Sequence, residues 1–379
     1  MFVNASLQIG GVERSLSDII AHMDREKYEV YLYLDQKGDG FFSEVKNYVT
    51  LVEPNMEGCY GRFFTIAKDL IKNRKYQALV LRVTRSAKGI LSYISKYLLQ
   101  KVYLNKYGTF DSVIAFREGN YSSFSYDCFR ARKYICWWHG SNPPSMNELS
   151  VHYNRITQFD AIVAVSNSTA SMIRKIFPDT KDLIVIPNML DAEAIRQKAV
   201  NSPYAADVLH IVSVGRLAPE KHFENVIPAA KALGESGTDF VWHIVGEGPE
   251  RTKLEALIAD SDLESHVVLE GSKTNPYPYM KYAQLFVHPS YVESQGLTVL
   301  EAMALGVPCV VTKSRGPCEF IQDGVNGLLT EQSPESLTAR VLEILNDKTL
   351  YQRIRENTKC PEQFSPEQVM RQIEALIDA

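Results

Sequence analysis

Two glutamates with seven residues between them, Glu293 and Glu301, stand inside the stretch of the chain densest in chemistry-bearing residues, Pro289–Cys309. Glu293 follows the apolar run Leu285–Val287 and belongs to a loop. Gln295-Gly296-Leu297 then turns into a helix expected from about Thr298 to Leu305, with Gly306 placed to stop it and Pro308 beyond. One carboxylate is thus on the loop and the other in the first turns of the helix. Between them, the N–H groups of Gly296, Leu297 and Thr298 form an anion site at a helix N-terminus. A carboxylate beside it would repel a bare phosphate, so its task is to accept hydrogen bonds from hydroxyls. Hydroxyls on either side of a phosphate describe a nucleotide sugar.

A second group, Val214–Lys221 (VGRLAPEK), places Gly215 at a strand end, followed by Arg216 and Lys221. Two cations there can clamp a diphosphate and stabilise it as it leaves. The competing reading is a salt-bridged loop, Arg216 with Glu220. Ile244–Arg251 (IVGEGPER) and Gln8–Arg14 (QIGGVER) each carry a strand into a Gly turn. The single Gly-x-Gly of the first is weak evidence by itself, and the second lacks the Lys-Ser/Thr of a P-loop and the three-glycine spacing of the dinucleotide fingerprint. In Cys136–Pro144 (CWWHGSNPP), His139 ends a buried strand. Of the eight histidines it is the one expected to act, whereas His210 and His243 fall inside strand patterns as core residues. Asp260-Ser261-Asp262 has an Asp-x-Asp form but lies at a helix end, where it reads as a turn. No grouping has metal-ligand spacing, so no metal or cofactor is expected, and Arg216 and Lys221 would take the electrostatic role of a metal.

The elements that must position these groups are short, near-continuous apolar strands alternating with helices, in two halves of a 379-residue chain. That pattern indicates doubly wound parallel sheets with ligand crevices at the carboxyl ends of the strands. The fold expected is α/β, two Rossmann-like domains at 1–190 and 208–360 facing each other across a cleft. A linker is expected around Asp191–Asp207, and a closing helix, 365–379, returns to the first domain. No apolar run is long enough to cross a bilayer, and no signal peptide is read at Met1. Six cysteines without CxxC pairing read as reduced thiols of a cytoplasmic protein.

The net charge of −4 argues against a nucleic-acid partner. It hides an asymmetry, because residues 61–107 hold eleven basic residues against the single acid Asp69. The apolar residues there recur at helical spacing. The segment is either a pair of surface helices or a basic amphipathic face for an anionic membrane or an acidic acceptor. The second reading places the protein peripherally at the inner face of the plasma membrane.

Taken together, these residues resemble a GT-B glycosyltransferase of the large retaining family four, which includes bacterial polysaccharide and lipid glycosyltransferases. The likeness spans nearly the whole chain and is strongest over 209–330. It is carried by the Glu293-to-Glu301 signature, the G-R-L-x-x-E-K stretch Gly215–Lys221 and the turn Val245–Pro249. The resemblance implies that Arg216 and Lys221 bind the donor diphosphate. Glu293 would hold the donor sugar's hydroxyls, Glu301 the ribose, and the backbone of Gln295, Gly296, Leu297 and Thr298 sugar and phosphate. Gly246 would line the donor site, the backbone near Lys273 would meet the base, and His139 would meet the sugar near the transfer centre. Gly11 would lie near the diphosphate and acceptor. The donor would be a UDP-sugar in preference to GDP, and the acceptor a saccharide or lipid-linked saccharide.

Two departures stand out. Gln295 replaces the commoner Phe, which retunes the sugar pocket. The first strand starts almost at Met1, which leaves a central strand short and raises the expectation of a missing start. A UDP-sugar epimerase of the same fold is the alternative function. A glycoside hydrolase using Glu293 and Glu301 is disfavoured by the anion-binding turn between them.

Overall fold

The structure, a computed structural model, describes residues 1–8, 10–35, 40–52, 90–140, 156–180, 182–204 and 208–379. Residues 61–89 of the basic segment lie outside the described residues. The remainder forms the helix Ile90–Tyr107. The chain divides into two units, Met1–Met189 with Val369–Ala379, and Leu190–Gln368.

The first unit is built on a seven-stranded sheet of β1 (Phe2–Asn4), β2 (Tyr31–Leu34), β3 (Thr50–Leu51), β4 (Phe110–Ala115), β5 (Ala131–Trp138), β6 (Ala161–Ala164) and β7 (Leu183–Val185), in the order β3-β2-β1-β4-β5-β6-β7. The second unit repeats the plan with β8 (Leu209–Val214), β9 (Phe240–Val245), β10 (Val267–Gly271), β11 (Leu285–His288), β12 (Cys309–Thr312) and β13 (Leu328–Thr330), ordered β10-β9-β8-β11-β12-β13. Every strand pair in both sheets is parallel. Strand order reverses between β1 and β4 and again between β8 and β11. Those are the switch points where such sheets open a ligand crevice.

The near-continuous apolar strands have a physical cause, since helices cover both faces of each sheet. In the second unit Ile211 and Val287 face one core while the adjacent Val212 and Phe286 face another, the period of two expected of a strand. In the first unit Phe2 and Ile114 face one side and Val3 and Val113 the other. Burying each such side chain stabilises the fold by about 1.5–3 kcal/mol. The last helix, Pro366–Asp378, places Val369, Met370, Ile373 and Leu376 in the core of the first unit.

The expected linker is partly helical. Asp191 accepts the Ala194 N–H at 2.9 Å and opens the helix Ala192–Lys198. Its buried Ile195 joins the core of the second unit, and Arg196 Nε donates to the Ala304 carbonyl at 3.0 Å. One buried apolar residue in seven is too weak a period to mark a helix in sequence.

Candidate active site

The crevice at β8 and β11 collects most of the residues singled out above. β8 ends at Val214 and delivers Gly215 and Arg216, and a 3-10 turn, Pro219–Lys221, carries Lys221. β11 ends in His288, and the loop beyond it carries Glu293. The Lys221 ammonium donates to Glu293 Oε1, and His288 Nε2 lies 2.9 Å from the same oxygen. Burial alone would raise the Glu293 carboxyl. The Lys221 charge and the His288 hydrogen bond overcome it and hold the group at about 2. Glu293 is therefore a fixed carboxylate whose second oxygen can accept from a hydroxyl. His288, which holds the Glu293 carboxylate, is not among the residues the sequence singled out. The available signal was an imidazole ending a core strand directly before the motif loop.

Beyond Glu293 the backbone turns into a helix N-terminus. Gly296 sits in the left-handed region (φ 84°) at the N-cap of the helix Leu297–Ala304, and among the described residues no side chain caps that end. The helix Pro334–Asn346 shows the contrast, since Ser333 accepts the Ser336 N–H there. A cap side chain would occupy the space an anion needs. Gly316 supports the loop from below: its N–H donates to the Glu293 carbonyl at 3.1 Å, and a Cβ there would lie 2.5 Å from Gln295 Cα. Gln295 itself is buried. The helix starts one residue earlier than the sequence predicts, at Leu297, with Thr298 in its first turn. Glu301, one turn on, is half-buried and accepts from the Tyr277 hydroxyl at 3.4 Å.

Arg216 takes the competing partner named above: its guanidinium meets Glu220 at 2.6 Å, with 68% of its side chain exposed. The pair is solvated, so it holds Arg216 weakly. Gly246 serves close backbone approach, because a Cβ there would lie 1.8 Å from the Gly215 carbonyl oxygen. The turn after β9 is zipped to the turn after β8 by Gly215 N to Val245 O (3.0 Å) and Leu217 N to Glu247 O (2.9 Å). Gly246→Ala is expected to destabilise the second unit by about 1–3 kcal/mol, read as a lower urea midpoint. An unchanged midpoint would contradict this packing role.

Lys273 stands just past β10. It lies 3.4 Å from Glu270 and over the Tyr279 ring. Glu270 also meets His243 at 2.9 Å, and His243 reaches His210 at 3.1 Å, so both strand histidines are partnered core residues. Asp260 ends the helix Arg251–Asp260, and Asp262 follows in a turn at φ 54°.

His139 and Gly11 belong to the first unit. Gly11 opens the helix Gly11–His22. His139 directly follows β5, is 7% exposed, packs against Phe116 with the rings tilted at 52°, and donates its backbone N–H to Glu118 at 3.1 Å. Burial, with a smaller effect of the Arg117 charge, pushes its pKa down to about 3, so the ring is neutral at ordinary pH.

Acid should therefore destabilise the protein in two steps. The unfolded chain protonates His139 near 6.5, so the stability present above that pH falls progressively down to about 3. Glu293 adds stability that is complete above 4.5 and falls toward 2. His139→Asn is expected to flatten the decline of Tm between pH 6.5 and 4.5, and Glu293→Gln the part below 4.5. Parallel profiles for wild type and variants would overturn the assignment.

The chain is similar to known proteins. Over 242 residues the chain is 28% identical to the N-acetyl-alpha-D-glucosaminyl L-malate synthase of Bacillus anthracis, covering 62% of each. Over 199 residues it is 29% identical to the poly(ribitol-phosphate) alpha-N-acetylglucosaminyltransferase of Staphylococcus aureus, covering 51% of this chain and 38% of that one. Both matches thus span less than two thirds of the relative. In fold, it superposes on Anabaena HepE, solved in complex with UDP and glucose, with a TM-score of 0.78 at 20% identity, covering 100% of this chain and 98% of the other. The model of the glycosyl transferases group 1 family matches residues 168–360, which hold the Lys221, His288 and Glu293 cluster and the helix at Gly296. That match takes in just over half of the chain, and the chain belongs to this family.

Proposed function

We propose that the protein is a retaining hexosyltransferase of family four. It would move a hexose from a nucleoside-diphosphate sugar, a UDP-sugar in preference, to a saccharide or lipid-linked saccharide in cell-surface polysaccharide or glycolipid synthesis. The observation that carries the reading is Glu293, fixed as a carboxylate by Lys221 and His288 beside the uncapped helix at Gly296. A hydroxyl acceptor next to an anion cradle suits a sugar joined to a diphosphate. The neighbour solved with UDP and glucose and the two N-acetylglucosaminyl relatives are in keeping with that donor class. Their transferase and synthase names lend no support to the epimerase alternative.

In this reading the transition state is oxocarbenium-like, and its largest barrier contribution is charge gathering on the departing diphosphate. Arg216, Lys221 and the N–H groups of Leu297 and Thr298 would stabilise that charge without a metal, each about 3–4 kcal/mol where well placed. Lys221 lies in salt-bridge contact with Glu293, so one cation can serve the sugar-holding carboxylate and the leaving group together. Glu301 would take the ribose, the backbone near Lys273 the base, and neutral His139 the sugar near the transfer centre. No covalent nucleophile is assigned. The leaving phosphate accepts the acceptor's proton as the new glycosidic bond forms on the same face. Among the described residues no helix is long and apolar enough to cross a membrane. Attachment to an anionic surface through 61–107 stays a proposal, tested by low-salt binding to anionic liposomes.

The test is product analysis by NMR with a panel of UDP-sugars and saccharide acceptors. A new glycoside with the donor's anomeric configuration is expected. An inverted glycoside would refute retention, and an epimerised UDP-sugar would favour the isomerase.

A further inference from the structure

We propose that His222 and Tyr291 are positioning residues: their stacked rings join the loop after β8 to the loop after β11 and so hold Lys221 where it meets both Glu293 and the donor diphosphate. The proposal rests on the donor-site reading above and adds the device that keeps its buried cation in place.

β8 and β11 are neighbours in the sheet, and contacts along both loops tie them together. Lys221 meets Glu293. The next residue, His222, lays its ring on Tyr291, two residues before Glu293, with centroids 3.9 Å apart and planes 28° from parallel. Buried Asn225 donates through Nδ2 to the Tyr291 hydroxyl at 2.9 Å, and buried Ser290 donates through Oγ to the Glu220 carbonyl at 3.2 Å. The tyrosine backbone is fixed as well, since its carbonyl accepts from Gln332 Nε2 at 3.1 Å.

The backbone at His222 points to the ring as the reason for this residue. His222 sits in the left-handed region (φ 48°, ψ 44°) between the 3-10 turns Pro219–Lys221 and Phe223–Asn225. A side chain adopts that conformation at a steric cost that glycine does not carry. Backbone geometry alone would be served better by glycine, and what the imidazole adds is the face that meets Tyr291. Its Nδ1 lies 3.4 Å from Glu224, but both side chains are about a third exposed, so that pair holds the loop weakly. Lys221 ends in an ammonium on a flexible four-carbon stem, and where that charge sits depends on where the loop is held. A misplacement of about 1 Å can cost on the order of 100-fold in a reaction that depends on the group.

Calorimetric titration of UDP into the full chain tests the role, with a cooperative thermal melt confirming that each variant is folded. His222→Gly keeps the left-handed backbone and deletes the ring, and it is expected to weaken UDP binding at least about fivefold. His222→Asn, a second ringless residue that tolerates the conformation, should match it. His222→Phe offers Tyr291 a ring without ring nitrogens and should bring the affinity back to within about twofold of wild type. In a Lys221→Ala background, His222→Gly should change the affinity by less than about twofold, because the ring then has no cation to position. Equal affinity in wild type and both ringless variants, no recovery with His222→Phe, or the same loss with and without Lys221 would overturn the positioning role. If the wild type binds no UDP, the donor-site reading fails and the positioning role falls with it. UDP binding that ignores His222 overturns the positioning role alone.

Discussion

Arg216→Ala is expected to lower kcat with a UDP-sugar donor by about 100- to 1,000-fold while moving Tm by less than about 2 °C. The two halves of that expectation come from one observation. Arg216 has 68% of its side chain exposed, and its ion-pair partner is the half-buried Glu220 one turn away. A solvated pair of this kind contributes about 0–1 kcal/mol to folding. A residue held so lightly is free to leave Glu220 for a stronger anion, and a diphosphate offers more negative charge than a carboxylate. Steady-state kinetics and a thermal melt on the same preparation check both halves. An active variant would remove Arg216 from the diphosphate clamp. An inactive variant with a collapsed Tm would make the residue structural.

Lys221→Ala should instead lower activity and stability together. Its ammonium is mostly buried and contacts Glu293, whose side chain is 12% exposed. Removing the lysine strands a carboxylate that Lys221 and His288 together keep ionised. Breaking a buried pair costs about 3–5 kcal/mol, and the surviving His288 hydrogen bond places this case at the lower end. The decisive comparison is the double variant. Lys221→Ala with Glu293→Gln removes the stranded charge and should recover much of the lost stability while staying inactive. Urea unfolding of the two single variants and the double gives the coupling directly. Additive losses would mean that the two side chains do not depend on each other.

Much of the fold was legible because the parallel sheets bury both faces and their strands read as unbroken apolar runs such as Leu209–Val214. The helix Ala192–Lys198 within the expected linker was not legible for the converse reason, too small a buried face. In the site, the spacing from Glu293 to Glu301 and the glycine between them were visible. What Glu293 touches was not, because Lys221 and His288 arrive from β8 and β11, strands that become neighbours only once the sheet forms. Gly246 was legible as a turn glycine, but its packing against the Gly215 carbonyl depends on the register between β8 and β9. The contact between Glu118 and the His139 N–H was not legible. A lone Arg-Glu-Gly after a strand has no pattern of its own, and its meaning comes from His139 and Gly140 across the sheet.

In the proposed reading the β8 and β11 crevice of the second unit holds a nucleoside diphosphate with its own cations and backbone. Calorimetric titration of UDP into the protein in EDTA tests it most directly. Saturable binding of one UDP per chain is expected, weakened at least about tenfold by Arg216→Ala, as loss of a charge-assisted contact should do. No heat in EDTA, with binding restored only by magnesium, would contradict the account and return attention to Asp260 and Asp262.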